Sequence, residues 1–202
     1  MKDAGLILRS TPYTDRSVIL KILSKHNGCI TAFYRFSSKK SFRPGVGQFI
    51  HFQAGQRPSG MPTITEASPL SEISIKPLAH QNLYTWLFCI ELLERILPEG
   101  LIIHGLFDVV FKYYCLLQSN SMTNSPIIPA ILLSTRFGLT DPRIIKLNDN
   151  SPSRQALLHL GVETGVEHSL QLNEADLFQT LLHELMTHYD IRNINSLTLV
   201  DM

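Results

Sequence analysis

The sequence predicts an α+β protein in two parts: a small five-stranded β-barrel over residues 1–77, followed by an α-helical domain over residues 78–202. Three observations lead there. Short apolar runs alternate with strong turn signals up to about residue 70, the apolar period becomes helical from about Leu78, and charge is divided between the same two halves.

Five runs rich in Ile, Leu, Val, Phe and Thr read as the strands: Ala4–Ser10, Ser17–Leu23, Cys29–Arg35, Gln48–Ala54 and Pro62–Ala67. Their separators are turn formers, namely Thr11-Pro12-Tyr13-Thr14-Asp15, His26-Asn27-Gly28, Arg43-Pro44-Gly45 and Arg57-Pro58-Ser59-Gly60. Asn27-Gly28 predicts a tight hairpin between the second and third strands. Among small five-stranded barrels the OB-fold is the commonest reader of single-stranded nucleic acid.

In the second half, Leu83, Trp86, Leu87, Ile90, Leu93 and Leu97 fall on one helical stripe, with Glu91, Glu94 and Arg95 off it, and Pro98 with Gly100 ends the helix. A second helix is expected from about Ile103 to Gln118. Pro129 is expected to open a third that closes at Gly138, and Pro152 and Ser153 to precede a short fourth ending at Gly161. Asn173 caps a fifth, whose buried face is read as Leu177, Leu181, Leu182, Leu185 and Met186.

Residues 1–57 hold ten Lys or Arg against two acids, a surplus of eight, whereas residues 81–202 hold seven against thirteen, a deficit of six. The whole-chain charge of +1 hides this segregation. A basic half attracts a polyanion whatever its fold. At 44% hydrophobic and 17% charged residues the chain is globular in composition. Its most apolar run, Leu83 to Phe111, is interrupted by Glu91, Glu94, Arg95, Pro98 and Glu99, and the N-terminus lacks an uninterrupted apolar segment. A soluble, cytoplasmic protein with no membrane partner is expected. Cys29, Cys89 and Cys115 are odd in number and widely spaced, and are read as buried reduced thiols.

No catalytic constellation emerges. The chain has neither GxxxxGK[ST] nor GxGxxG, no GxSxG and no CxxC. His183-Glu184 begins like HExxH, but the next histidine is His188, five residues on, which swings it roughly 140° around a helix and out of reach of a shared zinc ion. No enzyme, no cofactor and no metal is expected.

What remains is binding chemistry. Phe33-Tyr34-Arg35-Phe36-Ser37-Ser38-Lys39-Lys40-Ser41-Phe42-Arg43 interleaves four aromatic residues with four cations. A single strand needs both, because cations neutralise phosphates and ring faces stack on exposed bases at roughly 1–3 kcal/mol per base. Phe33 is expected in the barrel core. Tyr34, Phe36 and Phe42 could stack or be buried, while Arg35, Lys39, Lys40 and Arg43 are expected to meet phosphates. Arg9, Arg16, Lys21 and Lys25 extend the candidate DNA-binding set.

The chain resembles the RecO recombination mediators. The resemblance begins in Gly5-Leu6-Ile7-Leu8-Arg9-Ser10, continues through Pro12-Tyr13-Thr14-Asp15-Arg16-Ser17 and Ile19-Leu20, and enters the hairpin at Gly28-Cys29-Ile30. Ser38-Lys39-Lys40-Ser41 is similar to that family's Lys/Arg-rich loop, and Gln48-Phe49, Leu83-Tyr84, Glu91-Leu92-Leu93, Phe137-Gly138, His188-Tyr189-Asp190 and Asn195-Ser196 follow collinearly. The chain is a short member by this reading, without the four-cysteine zinc module that many relatives carry. The resemblance implies binding of single- and double-stranded DNA, annealing of complementary strands, and action with RecR on filaments of single-stranded-DNA-binding protein so that RecA loads. A site for that protein's acidic, Phe-ended tail would need cations beside apolar groups. Arg136, Arg143, Lys146 and Arg154, with Leu133 and Phe137, are the candidates in the helical half. The residues alone leave open an RNA-binding OB module or a protein–protein adaptor with a basic barrel.

Overall fold

Strands β1 (Lys2–Thr14), β2 (Ser17–Ser24), β3 (Gly28–Arg35), β4 (Phe49–Gly55) and β5 (Thr63–Pro69) close into a barrel in the order β1-β2-β3-β5-β4, with β5 parallel to β3 and the other neighbours antiparallel. This is the OB-type topology expected, and helices follow it to complete the α+β layout. The structure is a computed structural model that describes residues 1–36, 42–55, 60–71, 78–119, 125–167 and 174–194. The chain divides into two compact units, Met1–Ile75 with Ile96–Asp108, and Lys76–Arg95 with Val109–Met202. Ile96–Asp108 thus pack with the barrel although they lie beyond the expected boundary at residue 77.

Inside the barrel, Ile7, Leu20, Ile22, Ala32, Tyr34, Phe36, Ile50, Phe52, Ala54 and Ile64 form one buried cluster. The alternation of β2 and β3 delivers these side chains, since even-numbered residues there face inward. On β1 the phase changes at a bulge between Ile7 and Arg9, which brings Arg9 opposite Lys21. β1 is longer than expected and carries Pro12 because the strand pairs with β4 only from Lys2 to Leu6. Beyond Ile7, whose N–H still donates to the Gln48 carbonyl at 2.9 Å, that edge pairs with no strand, and a proline is tolerated there.

The β2–β3 hairpin is held by one carboxylate. Asp3 Oδ1 accepts from the Ala4 backbone N–H at 2.8 Å and lies 2.7 Å from His26 Nδ1. Its Oδ2 accepts from the His26 backbone N–H at 3.0 Å, from Asn27 Nδ2 at 2.8 Å and from the Ser24 hydroxyl. Burial pushes the Asp3 pKa up, but the hydrogen bonds from Ser24, His26 and Asn27 outweigh it and hold the carboxyl below its ordinary 3.8. The turn spans three residues, Lys25 to Asn27, and closes on Gly28 at φ +69°. A Cβ at Gly28 would also lie 2.2 Å from the Leu101 carbonyl oxygen. That carbonyl accepts from the Cys29 N–H at 3.0 Å, and Gly100 N–H donates to the Cys29 carbonyl at 2.7 Å, so the 96–108 segment covers the end of β3.

The helical unit contains most of α1 (His80–Ile96) and α2 (Leu106–Gln118), and all of α3 (Ile127–Arg136), α4 (Pro152–His159) and α5 (Glu174–His188). The buried face of α1 is broader than the expected stripe. It includes Phe88, Cys89 and Leu92, while Leu83 is 39% exposed. The buried Asn82 earns its place by donating to the Leu117 carbonyl at 2.7 Å. Helix α2 begins at Leu106, just after Gly105 at φ +74°, rather than at Ile103. Helix α3 opens at Ile127, with Pro129 inside its first turn where no N–H is needed, and packs against α4 and α5. In α5, Phe178 is buried in place of Leu177, and its ring meets Phe88 edge-on at 5.7 Å.

Strands β6 (Lys146–Asn148) and β7 (Gly165–Glu167) form a parallel pair around α4 that the sequence reading did not anticipate. Three-residue strands are too short to leave a periodic signature. Cys29 and Cys89 are buried and Cys115 is half-buried, all as free thiols. The expected cap Asn173 lies outside the described residues. No helix among the described residues is long and apolar enough to cross a membrane.

Replacing Asp3 by Ala leaves the Ser24, His26 and Asn27 donors without their acceptor, and is expected to cost on the order of 3 kcal/mol in urea unfolding of the full chain. Because the folded carboxyl sits below 3.8, its contribution is complete above that value and disappears as pH falls through the folded pKa. Wild-type stability is therefore expected to fall in that acid range more steeply than that of Asp3→Ala.

Candidate nucleic-acid interface

The outer face of β1, β2 and β3 presents cations and rings in a defined order. Pairing sets Arg9 opposite Lys21 and Lys21 opposite Thr31, then Thr11 opposite Ile19 and Ile19 opposite Phe33, then Ser17 opposite Arg35. Residues two apart on one strand share a face, so Lys21 and Ile19, and Phe33 and Arg35, line up along the strands at spacings of about 7 Å. Tyr13 reaches over this face, 65% exposed, with its ring edge-on to Phe33 at 5.7 Å. In OB-type barrels the β2–β3 face and the loop joining β1 to β2 form the usual oligonucleotide surface. Here that loop contributes the exposed Asp15 and Arg16.

Beside the loop an open cleft of about 530 Å³ is lined by Pro12, Tyr13, Thr14, Asp15, Val18, Phe36, Arg43 and Pro44. The Arg43 guanidinium lies 5.0 Å from the centre of the Phe36 ring, a cation–π contact that holds it over the wall of the cleft. Thr14 and Ser17 hydroxyls bond at 2.6 Å, Thr14 Oγ1 accepts from the Arg16 N–H at 3.3 Å, and Phe36 N–H donates to the Arg16 carbonyl at 3.0 Å. The rim is therefore built on backbone and hydroxyl contacts that leave the charged ends of Asp15, Arg16 and Arg43 on the surface.

Several expected site residues stand elsewhere. Tyr34 is fully buried in the barrel cluster, and Phe36 is buried with only its margin in the cleft wall, so neither offers a face for an open stack. Phe33, expected in the core, is half-buried on the outside. The signal for this inversion was Arg35: a charged residue there must meet water, and period-two alternation then carries Phe33 outward and Tyr34 inward. Phe42 packs part-buried against the core cluster. Lys25 lies at the far end of β2, about 25 Å along the strand from Ser17. There its Nζ pairs with Asp108 at 3.1 Å and sits 6.0 Å over the Phe107 ring, so it is tied down away from the cleft. Lys39 and Lys40 lie outside the described residues. Arg9, Arg16, Arg35 and Arg43 are exposed and Lys21 is half-buried. Tyr13, which the sequence reading did not select for the site, joins them.

In the helical unit, Leu133 is fully buried on α3 and cannot touch a peptide at the surface. Arg136 and Phe137 are half-buried at the end of that helix, with Phe137 edge-on to Tyr189 at 5.8 Å. Arg143 and Lys146 are exposed, flanking Ile144 at 73% exposure. Arg154 Nη1 is engaged by Asp149 at 2.7 Å, which neutralises much of its charge.

A closed five-stranded OB-type barrel with cations and rings on the outer face of β1, β2 and β3 is an arrangement that nucleic-acid-binding proteins use. Residues 1–73 match the family described as Recombination protein O N terminal, so the barrel is similar to the N-terminal domain of that family. No curated protein matches the chain significantly.

The Tyr34 hydroxyl is buried without a hydrogen-bond partner among the described residues, and burial raises its pKa. Tyr34→Phe is expected to leave nucleic-acid affinity unchanged and to hold or raise stability, by up to about 1 kcal/mol in urea unfolding. A loss of affinity in that variant would return Tyr34 to the binding surface.

Proposed function

We propose that this protein binds single- and double-stranded DNA through the outer face and cleft of its barrel, anneals complementary strands, and acts with RecR in the cytoplasm to remodel filaments of single-stranded-DNA-binding protein so that RecA loads. The observation that carries this reading is the coincidence of the RecO N-terminal match with a barrel whose β2–β3 face shows Arg9, Lys21, Phe33, Arg35 and Tyr13 together. Residues 1–77 are assigned the DNA-binding role and residues 78–202 the role of a helical partner-binding domain. Annealing fits the charge, because a surplus of eight positive charges in residues 1–57 would screen the repulsion between two phosphate backbones and requires no covalent step.

The phosphates would meet Arg9, Arg16, Lys21, Arg35 and Arg43, with Lys39 and Lys40 beside them in sequence. Bases would stack on the outer rings Tyr13 and Phe33. For the acidic, Phe-ended tail we place Arg136, Arg143 and Lys146 as the cations and Phe137 with the exposed Ile144 as the apolar groups.

Binding of a labelled strand of ~30 nucleotides is expected to weaken with salt at a log–log slope corresponding to roughly four to six phosphates, at about −0.7 each. Changing Lys39, Lys40 and Arg43 to Glu is expected to weaken binding for all sequences alike and to slow annealing, since phosphate contacts carry no base information. Wild-type affinity in that triple variant would remove this loop from the site, and a firm preference for RNA of the same sequence would redirect the reading. Changing Arg136 and Arg143 to Glu is expected to weaken binding of an acidic Phe-ended peptide at least fivefold, read by anisotropy, with DNA affinity as the control.

A further inference from the structure

Asp15 is the feature that phosphate binding leaves unexplained. Residues 1–57 contain only two acids. Asp3 is consumed inside the hairpin clamp. Asp15 instead lines the cleft, exposed, and among the described residues no hydrogen bond or ion pair engages its side chain. A carboxylate at the mouth of a DNA-binding cleft repels phosphate oxygens, so the group it suits is a donor on a base edge.

The rest of the cleft has the character of a base site. Its volume of about 530 Å³ falls within the roughly 300–1,000 Å³ usual for small-ligand pockets. Pro12, Val18, Phe36 and Pro44 supply apolar walls, and Tyr13 supplies an exposed ring at the rim. The Arg43 guanidinium, 5.0 Å from the centre of the Phe36 ring, keeps a cation at the cleft wall for the phosphate that neighbours the base.

We propose that this cleft takes one unstacked guanine of a bound DNA single strand, with the Asp15 carboxylate accepting from the base's N1–H and N2 amino groups and the Tyr13 ring stacking on its face. Guanine is the one standard base with two adjacent donors on its pairing edge. Thymine offers a single N–H between two carbonyls that a carboxylate repels, and cytosine and adenine each offer one amine beside an acceptor. The site rests on the DNA-binding reading above and adds a base preference to it: one strand position is sorted by base while the outer face holds phosphates indifferently.

The test uses the full chain and 15-nucleotide thymine strands that carry one central guanine, inosine or cytosine. Guanine is expected to bind about tenfold tighter than thymine at that position, with inosine, which lacks the N2 amine, in between. In Asp15→Asn, which keeps a turn-forming side chain, the guanine-to-thymine ratio is expected to collapse to near one, with an unchanged Tm showing that the barrel is intact. Free dGMP is expected to compete far more weakly than the strand. Equal wild-type affinity for all the strands would overturn the guanine site while leaving DNA binding in place, and a preference that survives in Asp15→Asn would overturn the role of Asp15. A dGMP affinity equal to that of the strand would overturn the assignment to a base within DNA, and no strand binding at all would remove the DNA reading with it.

Discussion

The interior of a five-stranded barrel has room for one packed set of side chains, and here Ile7, Leu20, Ile22, Tyr34, Ile50, Phe52 and Ile64 occupy it. Everything the barrel shows to a ligand depends on that choice. Once Tyr34 is inside, Phe33 and Arg35 must be outside; once Leu20 and Ile22 are inside, Lys21 and Ile19 must be outside. Closure between β3 and β5 through Phe33↔Thr63 and Tyr34↔Ile64 prevents a register slip from reversing the assignment. The bulge after Ile7 performs the same service on β1, bringing Arg9 onto the face that Lys21 already occupies.

The two ends of β2 have been given different work. At the hairpin end a buried carboxylate, a left-handed glycine and the 96–108 segment lock the backbone, and Lys25 is tied to Asp108. At the other end the loop joining β1 to β2, together with Phe36, Arg43 and Pro44, leaves a cleft whose charged groups remain at the surface. An ordered scaffold holding an accessible rim is the arrangement that recognition requires, because the energy of ordering the frame is spent in folding and not in binding.

Charge segregation suits the function proposed. In that reading a basic barrel would gather nucleic acid, whereas a net-negative helical unit would not compete for it and would present local cations to an acidic partner. Around Arg143 and Lys146 the negative unit does show such a local reversal, beside Ile144 at 73% exposure.

Much of this was legible in the chain itself. Turn residues such as Asn27-Gly28 and Arg43-Pro44-Gly45 marked the strand boundaries, the shift to helical spacing after Leu78 separated the two kinds of structure, and the charge count divided the chain in the same place, because all three are local or additive properties. The sequence did not reveal that a bulge after Ile7 would bring Arg9 opposite Lys21, that Ile96–Asp108 would cover β3, that Leu133 would vanish into the core, or that β6 and β7 would pair. Those depend on closure and on contacts between residues tens of positions apart, where a side chain's environment is set by its neighbours in space and its own chemistry is only one contribution. The cleft at Asp15 and Arg43 is of that kind: twenty-eight residues separate its two charges along the chain, and only the closed barrel makes them walls of one site.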